Sequence, residues 1–212
     1  MLRLILLMCL AVQIHAAPCA LALLSTYIAG GCSNQGVTFD GWAYTPGGSS
    51  IGAGDILVTP SVVAPYFEFH VISGGWTAGP GEVITPTIST LATGATSVVA
   101  SQVFLAFGTG TGTAMASATL ETCSGDLLPA CASGVLSVVT ALSTGPILAN
   151  GPIPPGDPID MRLSLFLSGG TGIAYLETVN AGLFATPEPP TAALLLPVLA
   201  AFWWGNRRAS RY

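Results

Sequence analysis

Short runs of alternating apolar and polar residues, separated by glycine- and proline-rich turns, fill the middle of this chain. Between 159 and 167 every odd-numbered residue is apolar, whereas Asp160, Arg162 and Ser164 are polar. This period of two predicts a strand with one face against a core. Such runs predict nine strands, at 36–44, 55–60, 66–72, 83–91, 97–108, 111–122, 134–142, 159–167 and 172–184. A short helix is predicted at 21–28, before Gly30 and Gly31.

Two of these strands change the side on which their apolar residues fall. Trp42 and Tyr44 have the opposite parity to Val37 and Phe39, which predicts a β-bulge at Gly41. In the last strand Glu177 interrupts a series of apolar residues that share one parity, which indicates a second bulge or an edge position. That series contains Ile173, Tyr175, Val179, Ala181 and Leu183.

The number and spacing of the strands predict an all-β fold, an antiparallel β-sandwich or jelly-roll-like domain, over residues 17–185. Hydrophobic residues make up 51% of the chain, which is enough to build a core in spite of 26 glycines and 16 prolines. We therefore expect a folded domain and not a disordered segment. The sequence has no internal repeat of fixed period, so a solenoid is not expected.

Charge in this domain is scarce and almost entirely negative. The chain contains no lysine, and between residues 17 and 186 nine acidic residues stand against one arginine, Arg162, a net charge of −8. Nucleic-acid binding depends on clustered Lys and Arg, so nucleic acid is excluded as a partner. An anionic membrane surface would also repel this domain.

The cysteines favour an exported protein. Cys9 lies in an N-terminal apolar run, and the four others form an even set of the kind that makes disulfides in an oxidising compartment. Of the three possible pairings we predict Cys19–Cys32 and Cys123–Cys131, because each pair flanks a compact loop or hairpin. A zinc site is the alternative, but the spacing contains no C-x-x-C pair.

The first residues have the form of a signal peptide. Arg3 is the only charge in the first 39 residues, and the apolar run 4–12 is far too short to span a membrane. We predict a signal peptide at 1–16, cleaved after Ala16, because a cut after Ala17 would leave Pro18 immediately downstream. An uncleaved N-terminal anchor is the alternative.

The last 27 residues combine turn-forming prolines, an apolar run and terminal arginines. Pro187, Glu188 and Pro189 precede the apolar run 192–204. Three arginines follow this run: Arg207, Arg208 and Arg211. This arrangement resembles the PEP-CTERM sorting signal of bacterial exported proteins, which exosortase-type enzymes are thought to process. The resemblance makes residues 186–212 a sorting signal with Pro187, Glu188 and Pro189 as its motif.

As a permanent membrane anchor this tail is marginal. Residues 191–204 would form a helix of about 21 Å, shorter than a hydrocarbon core of roughly 30 Å, and Pro197 interrupts it. We expect a short transmembrane helix that holds the chain until processing, with the arginines on the cytoplasmic side. A buried C-terminal helix is the alternative, and the adjacent arginines argue against it.

A second group of residues lies at the start of the domain and near its middle. They are Cys19, Leu21, Tyr27, Ile28, Cys32, Phe39 and Tyr44, followed by Gly75, Trp76, Ala78 and Gly79. These residues are similar to a group of uncharacterised PEP-CTERM proteins, in which a disulfide-flanked short helix leads into an aromatic strand. The Ser-Asn-Gln-Gly sequence at 33–36 departs from the acidic–basic pair that is frequent in that group.

The resemblance implies export and surface sorting in bacteria that make extracellular polysaccharide, and it implies neither catalytic residues nor a cofactor. We therefore expect a non-enzymatic protein of the cell surface or extracellular matrix, tethered to the membrane before processing. Its expected partners are an exosortase-type enzyme, transiently, and extracellular polysaccharide. The alternatives are a secreted carbohydrate-binding module and a secreted hydrolase.

Few residues suggest a metal-binding or catalytic site. Glu68 and His70 share one strand face and could bind a metal ion as a pair, but no third ligand is identifiable and a solvated pair is the commoner arrangement. Asp157 and Asp160, with nearby loop carbonyls, could hold calcium, although their spacing matches no EF-hand. A hydrolase would need a G-x-S-x-G elbow or two facing carboxylates; the elbow is absent and the carboxylates cannot be paired from sequence.

Exposed aromatic rings would suit sugar binding. Trp42, Tyr66 and Trp76 are the candidates, and burial in the core is the alternative for each. Thr109, Thr111 and Thr113 come nearest to a regular threonine ladder of the kind that ice binding needs, but they lie among glycines.

Overall fold

The computed structural model describes residues 16–94, 98–124, 131, 136–143, 147–153 and 156–185. The predicted signal peptide, apart from Ala16, and the predicted sorting tail lie outside these residues. The described part forms one α-helix, α1 (Leu24–Ala29), and fourteen strands. The strands are β1 (Ala22–Leu23), β2 (Cys32–Asn34), β3 (Val37–Thr45), β4 (Ile56–Pro60), β5 (Tyr66–Val71), β6 (Trp76–Ala78), β7 (Val83–Ile84), β8 (Thr87–Thr93), β9 (Val98–Gly110), β10 (Met115–Ser124), β11 (Leu136–Leu142), β12 (Leu148–Pro152), β13 (Ile159–Ser168) and β14 (Ala174–Ala185).

Two antiparallel sheets enclose the core. The first sheet has the order β1-β4-β5-β14-β9-β12, with β6 also paired to β14. The second has the order β11-β10-β13-β8-β3-β2, with β7 also paired to β13. The predicted all-β, antiparallel sandwich is confirmed, and the predicted inward side chains Leu163 and Leu165 are 3% and 1% exposed.

A cluster of aromatic rings joins the two sheets. Phe67 on β5 meets Phe39 and Trp42 on β3 edge to face, with ring centroids 4.8 and 5.2 Å apart. Tyr27 of α1 lies 5.3 Å from Trp42, and its hydroxyl donates to the carbonyl of Ala20 at 2.5 Å. Buried rings contribute large apolar areas, so this cluster fixes α1 against the core.

The structure pairs Cys19 with Cys32 and Cys123 with Cys131, which is the local pairing predicted from the sequence. The first bond closes the loop that carries α1. The second ties Cys131 to the end of β10. Each bond therefore constrains one short segment of the chain, and the packing of the two sheets on each other depends on the core.

Three predicted boundaries are wrong for identifiable reasons. The helix begins at Leu24, not at residue 21, because Ala22 and Leu23 pair with β4. The strand expected at 83–91 is divided into β7 and β8 at Pro86, which has no N–H to donate. No strand is predicted between residues 142 and 159, but β12 lies there, and its terminal Pro152 is tolerated because β12 is an edge strand.

The predicted bulge at Gly41 is confirmed. The register of β3 with β8 shifts between Asp40 and Ala43, and Gly41 has φ +59°, a conformation that glycine adopts without steric cost. The shift turns Trp42 inward. Phe39 and Trp42 therefore both reach the core although they have opposite parity.

A second bulge lies at Thr178 in β14, where the register with β9 shifts on both sides. Before it, Ala174 and Leu176 are buried; after it, the odd-numbered residues are buried. The residues of the predicted series therefore do not share one buried face, since Ile173 is 48% exposed and Tyr175 is only partly buried. The interruption at Glu177 correctly indicated a bulge.

Candidate functional site

The histidine considered as a metal ligand lies on the outer face of the first sheet. His70 on β5 is opposite Thr178 on β14, and its Nδ1 atom lies 3.0 Å from Thr178 Oγ1. The bulge also brings Glu177 to this position, with Oε1 3.7 Å from the same nitrogen. Glu177 was not predicted to neighbour His70, and the break in alternation at residue 177 was its only signal.

This arrangement does not have the geometry of a catalytic triad. A triad histidine receives the nucleophile's proton on one ring nitrogen and is oriented by an acid at the other. Thr178 and Glu177 both approach Nδ1. The hydroxyl of Tyr175 donates to Glu177 Oε2 at 3.1 Å, which engages the carboxylate further. The contacts of His70 with Thr178 and Glu177 thus orient the ring on the sheet.

The described residues contain no group of three or more His, Cys, Asp or Glu side chains that could hold a metal ion. Glu68 and His70 lie on the same face of β5, as the alternation predicted. Asp157 is exposed, and its Oδ1 accepts the backbone N–H of Gly94 at 2.9 Å. Asp160 lies within β13, between β10 and β8. Within this part of the chain, neither the Glu68–His70 pair nor the two aspartates belong to such a group.

Of the three aromatic residues considered for sugar binding, two are in the core. Trp42 is 4% exposed and Trp76 is 0% exposed, so the hypothesis that these rings stack on a sugar is wrong. The Nε1 of Trp76 lies 3.4 Å from the hydroxyl of Tyr44, to which it donates. Tyr66 is only partly buried and lies on the outer face of the first sheet.

Amide, carboxyl and aromatic side chains line the outer side of this sheet. We call this surface the polar face. Strand register places Tyr66 opposite Gly182, Gly182 opposite Gln102, and Gln102 opposite Asn150. Neighbouring strands lie about 4.8 Å apart, so this row extends roughly 14 Å across the sheet. The polar face comprises Tyr66, Glu68 and His70 of β5, Thr178 and Asn180 of β14, Gln102 of β9 and Asn150 of β12.

Two features make the polar face more than a solvated surface. Gln102 Nε2 donates to Asn150 Oδ1 at 2.7 Å, which fixes the two amides side by side. Asn180 Oδ1 is buried and accepts no hydrogen bond from the described residues. Buried polar atoms are normally satisfied, so an ordered water is the expected donor to this oxygen.

A Cβ atom at Gly182 would lie 2.3 Å from the Cα and Cβ atoms of Tyr66, so only glycine fits beneath this tyrosine. The absence of a side chain at 182 leaves Tyr66 and Gln102 on either side of the same backbone position. The row therefore carries an aromatic ring at one end and a pair of amides at the other. Hydrogen-bonding amides beside a ring face suit a polar ligand with a flat apolar side.

The outer face of the second sheet carries a different surface. Five hydroxyl residues lie in register across neighbouring strands, and no sequence pattern indicated this, because they come from five separate segments. We call them the hydroxyl row: Thr45 of β3, Thr87 of β8, Ser164 of β13, Thr119 of β10 and Thr140 of β11. Thr119 and Thr140 lie 2.9 Å apart, Oγ1 to Oγ1, and so hydrogen-bond to each other.

The threonines considered from the sequence do not form this surface. Thr111 and Thr113 are exposed and bind the neighbouring loop: Thr113 Oγ1 accepts the N–H of Thr171 at 2.9 Å, and Thr111 Oγ1 accepts that of Ile173 at 3.1 Å. The side chain of Thr109 lies outside the described part of the structure. Thr111 and Thr113 therefore hold two loops together.

No protein-family model matches the sequence, and no similar sequence is found among curated proteins. Within the described residues, none of the helical structure is long and apolar enough to cross a membrane. The apolar run 192–204 lies outside that part of the chain.

Proposed function

We propose that this protein is a non-enzymatic, exported component of a bacterial cell surface or extracellular matrix. In this proposal its C-terminal segment is a PEP-CTERM-type sorting signal that an exosortase-type enzyme processes. The observation that best supports export is the pairing of four cysteines into two disulfides. Such bonds persist in oxidising compartments and are rare in the cytosol.

The distribution of charge supports the same proposal. The positive charges at the two ends of the chain are Arg3 before the N-terminal apolar run and Arg207, Arg208 and Arg211 after the C-terminal run. The segment between them contains only Arg162. Positive residues flanking apolar runs are retained on the cytoplasmic side, so this distribution favours export of the β domain between two cytoplasmic ends.

The test is the intact mass of the protein extracted from the native cell surface. If residues 186–191 form a processing site, the released form lacks residues 192–212, and its N-terminus begins at Ala17. A water-soluble surface form that still ends in Tyr212 would contradict the processing proposal.

Carbohydrate binding is the second candidate, and the polar face favours it. The paired amides of Gln102 and Asn150 offer directional hydrogen bonds, and Tyr66 offers a ring. Binding sites for polar ligands combine a few fixed hydrogen-bonding groups with apolar contact surface. Extracellular polysaccharide is the ligand class that suits both this face and the proposed location.

A glycan array tests this second candidate. The variant Gln102→Ala/Asn150→Ala removes the amide pair and should abolish binding of any glycan that the parent retains. Thr119→Ala/Thr140→Ala is the matched control, because it removes a hydrogen-bonded polar pair from the opposite sheet. Equal loss in both variants would indicate unfolding or a different site. A screen of hydrolase substrates with the same proteins tests the remaining alternative, a secreted hydrolase.

A further inference from the structure

Two adjacent valines stand at the tip of the loop between β4 and β5. Val62 and Val63 are each 84% exposed, more than any other large apolar side chain in the described residues. We call this pair the valine tip. Single exposed apolar residues are normal on protein surfaces, but two neighbours at one loop tip form a small apolar projection.

The valine tip is held in place by hydrogen bonds on both sides. Ser61 N donates to the carbonyl of Tyr66 at 2.9 Å, and Val63 N donates to Ser61 Oγ at 3.2 Å. Gln35, in the hairpin of the second sheet, donates through Nε2 to the carbonyl of Val62 at 2.8 Å. The backbone therefore presents the two side chains outward and does not bury them against the domain.

The last strand ends beside this loop. Leu183 N donates to the carbonyl of Pro65 at 3.0 Å, and β14 ends two residues later, at Ala185. The chain thus leaves the sandwich at the same end as the valine tip. Six residues, 186–191, connect Ala185 to the apolar run 192–204, and they can span at most about 22 Å when fully extended.

We propose that the valine tip contacts the lipid bilayer while the C-terminal run holds the unprocessed protein in the membrane. This inference rests on the proposed function of the tail. The short connection keeps this end of the sandwich near the bilayer surface. The contact would fix the orientation of the domain and hold residues 186–191 at a constant height for processing.

The charge and polarity of the domain indicate which part of a bilayer the valine tip contacts. The segment between residues 17 and 186 has a net charge of −8, so electrostatic repulsion from anionic headgroups would oppose binding. Two uncharged β-branched side chains suit the apolar boundary of a bilayer, where burial of apolar surface is favourable irrespective of lipid charge. Neutral phosphatidylcholine is therefore a sufficient probe.

Tryptophan quenching by acyl-brominated phosphatidylcholine tests the contact in the full-length protein. Trp42 and Trp76 are buried in the core, whereas Trp203 and Trp204 end the apolar run. Quenching of the parent protein reports insertion of the tail. In Val63→Trp the added emission should also be quenched. In Val83→Trp, placed on β7 at the opposite end of the sandwich on a side chain 52% exposed, the added emission should keep its intensity.

The outcomes separate this inference from the proposal on which it rests. Suppose that the parent is quenched and that the added emission of Val63→Trp is as unquenched as that of Val83→Trp. This result would overturn the lipid contact and leave tail insertion intact. The tip would then face a protein such as the processing enzyme. An unquenched parent would overturn tail insertion and, with it, the contact. Both substitutions replace exposed side chains, and detection of both disulfides by mass confirms that each variant is folded.

Discussion

The Nε atom of Arg162 donates to Oε2 of Glu121 at 2.6 Å, across the pairing of β13 with β10. Both side chains are partly exposed, at 30% and 20%, so solvent screens this ion pair. Leu165, three residues after Arg162 along β13, points to the opposite side and is buried. Substitutions at Arg162 and Leu165 therefore measure separately how much the outer face and the core contribute to stability.

The first prediction compares these two positions. Leu165→Ala should lower the free energy of unfolding by about 2–5 kcal/mol, because it leaves a cavity between the sheets. Arg162→Ala should lower it by no more than about 1 kcal/mol. Denaturant unfolding of both variants measures the difference. Equal losses would mean that the orientation of β13 is wrong.

The second prediction concerns the disulfides. The sequence separations of 13 and 8 residues close short loops, so replacing Cys19 and Cys32 together by alanine should cost about 2–4 kcal/mol on the chain-entropy estimate. Denaturant unfolding measures this loss. Peptide mapping of the non-reduced protein should find Cys19 joined to Cys32; a peptide linking Cys19 to Cys123 or Cys131 would refute the pairing.

The third prediction concerns the polar face. Gly182→Ala should destabilise the protein by about 1–3 kcal/mol, because the new methyl group would overlap the backbone of Tyr66 and force β5 and β14 apart. Gly30→Ala is the matched control, since no atom lies within 4 Å of its Cβ position. Thermal unfolding compares the two. A Gly182→Ala variant as stable as Gly30→Ala would contradict the close approach of Tyr66.

The sequence predicts those features of this fold that depend on local pattern. Alternation is sufficient to orient β5 and β13, and the position of Gly41 is sufficient to locate a bulge, because each depends on neighbouring residues. The contact of His70 with Thr178 joins residues 108 positions apart, and it depends on strand order and register. The hydroxyl row depends on the register of five strands. No local pattern contains that information, so neither outer face could be predicted.

The sequence also could not predict which aromatic residues are buried. A tryptophan in an alternating strand faces either the core or the solvent according to which side the partner sheet covers. Trp42 reaches the core only because the bulge at Gly41 reverses its side. The sugar-binding hypothesis therefore failed at Trp42 and Trp76, and the polar face emerged at residues that had suggested no binding role, such as Gln102 and Asn150.

The fourth prediction concerns high pH. Burial raises the pKa of Tyr27, whose hydroxyl donates to the carbonyl of Ala20. The unfolded chain then releases this proton first, at a pKa of about 10. The stability contributed by neutral Tyr27 is fully present below that pH and is lost as the pH rises toward the folded pKa, with a slope of at most about 1.4 kcal/mol per pH unit.

Unfolding measured from pH 8 to 11 should therefore show a decline above about pH 10 that is shallower in Tyr27→Phe. Burial also raises the pKa of Tyr44, so a remaining slope is expected in that variant. If the free energy of unfolding of the parent and of Tyr27→Phe falls with pH at the same slope, Tyr27 has the same pKa in the folded and unfolded states.

The last prediction concerns the tail. Glu188 is the only charged residue between Glu177 and Arg207 and lies between Pro187 and Pro189. If the processing enzyme recognises this carboxylate, Glu188→Ala should leave export intact while the uncleaved protein accumulates in the membrane, with its arginines on the cytoplasmic side. Membrane fractionation followed by intact mass measures this. The matched control is Glu177→Ala, which removes a carboxylate from the folded domain and should leave processing unchanged. Normal cleavage of Glu188→Ala would show that Glu188 is not required for processing, and the apolar run 192–204 would then be the part of the tail to vary.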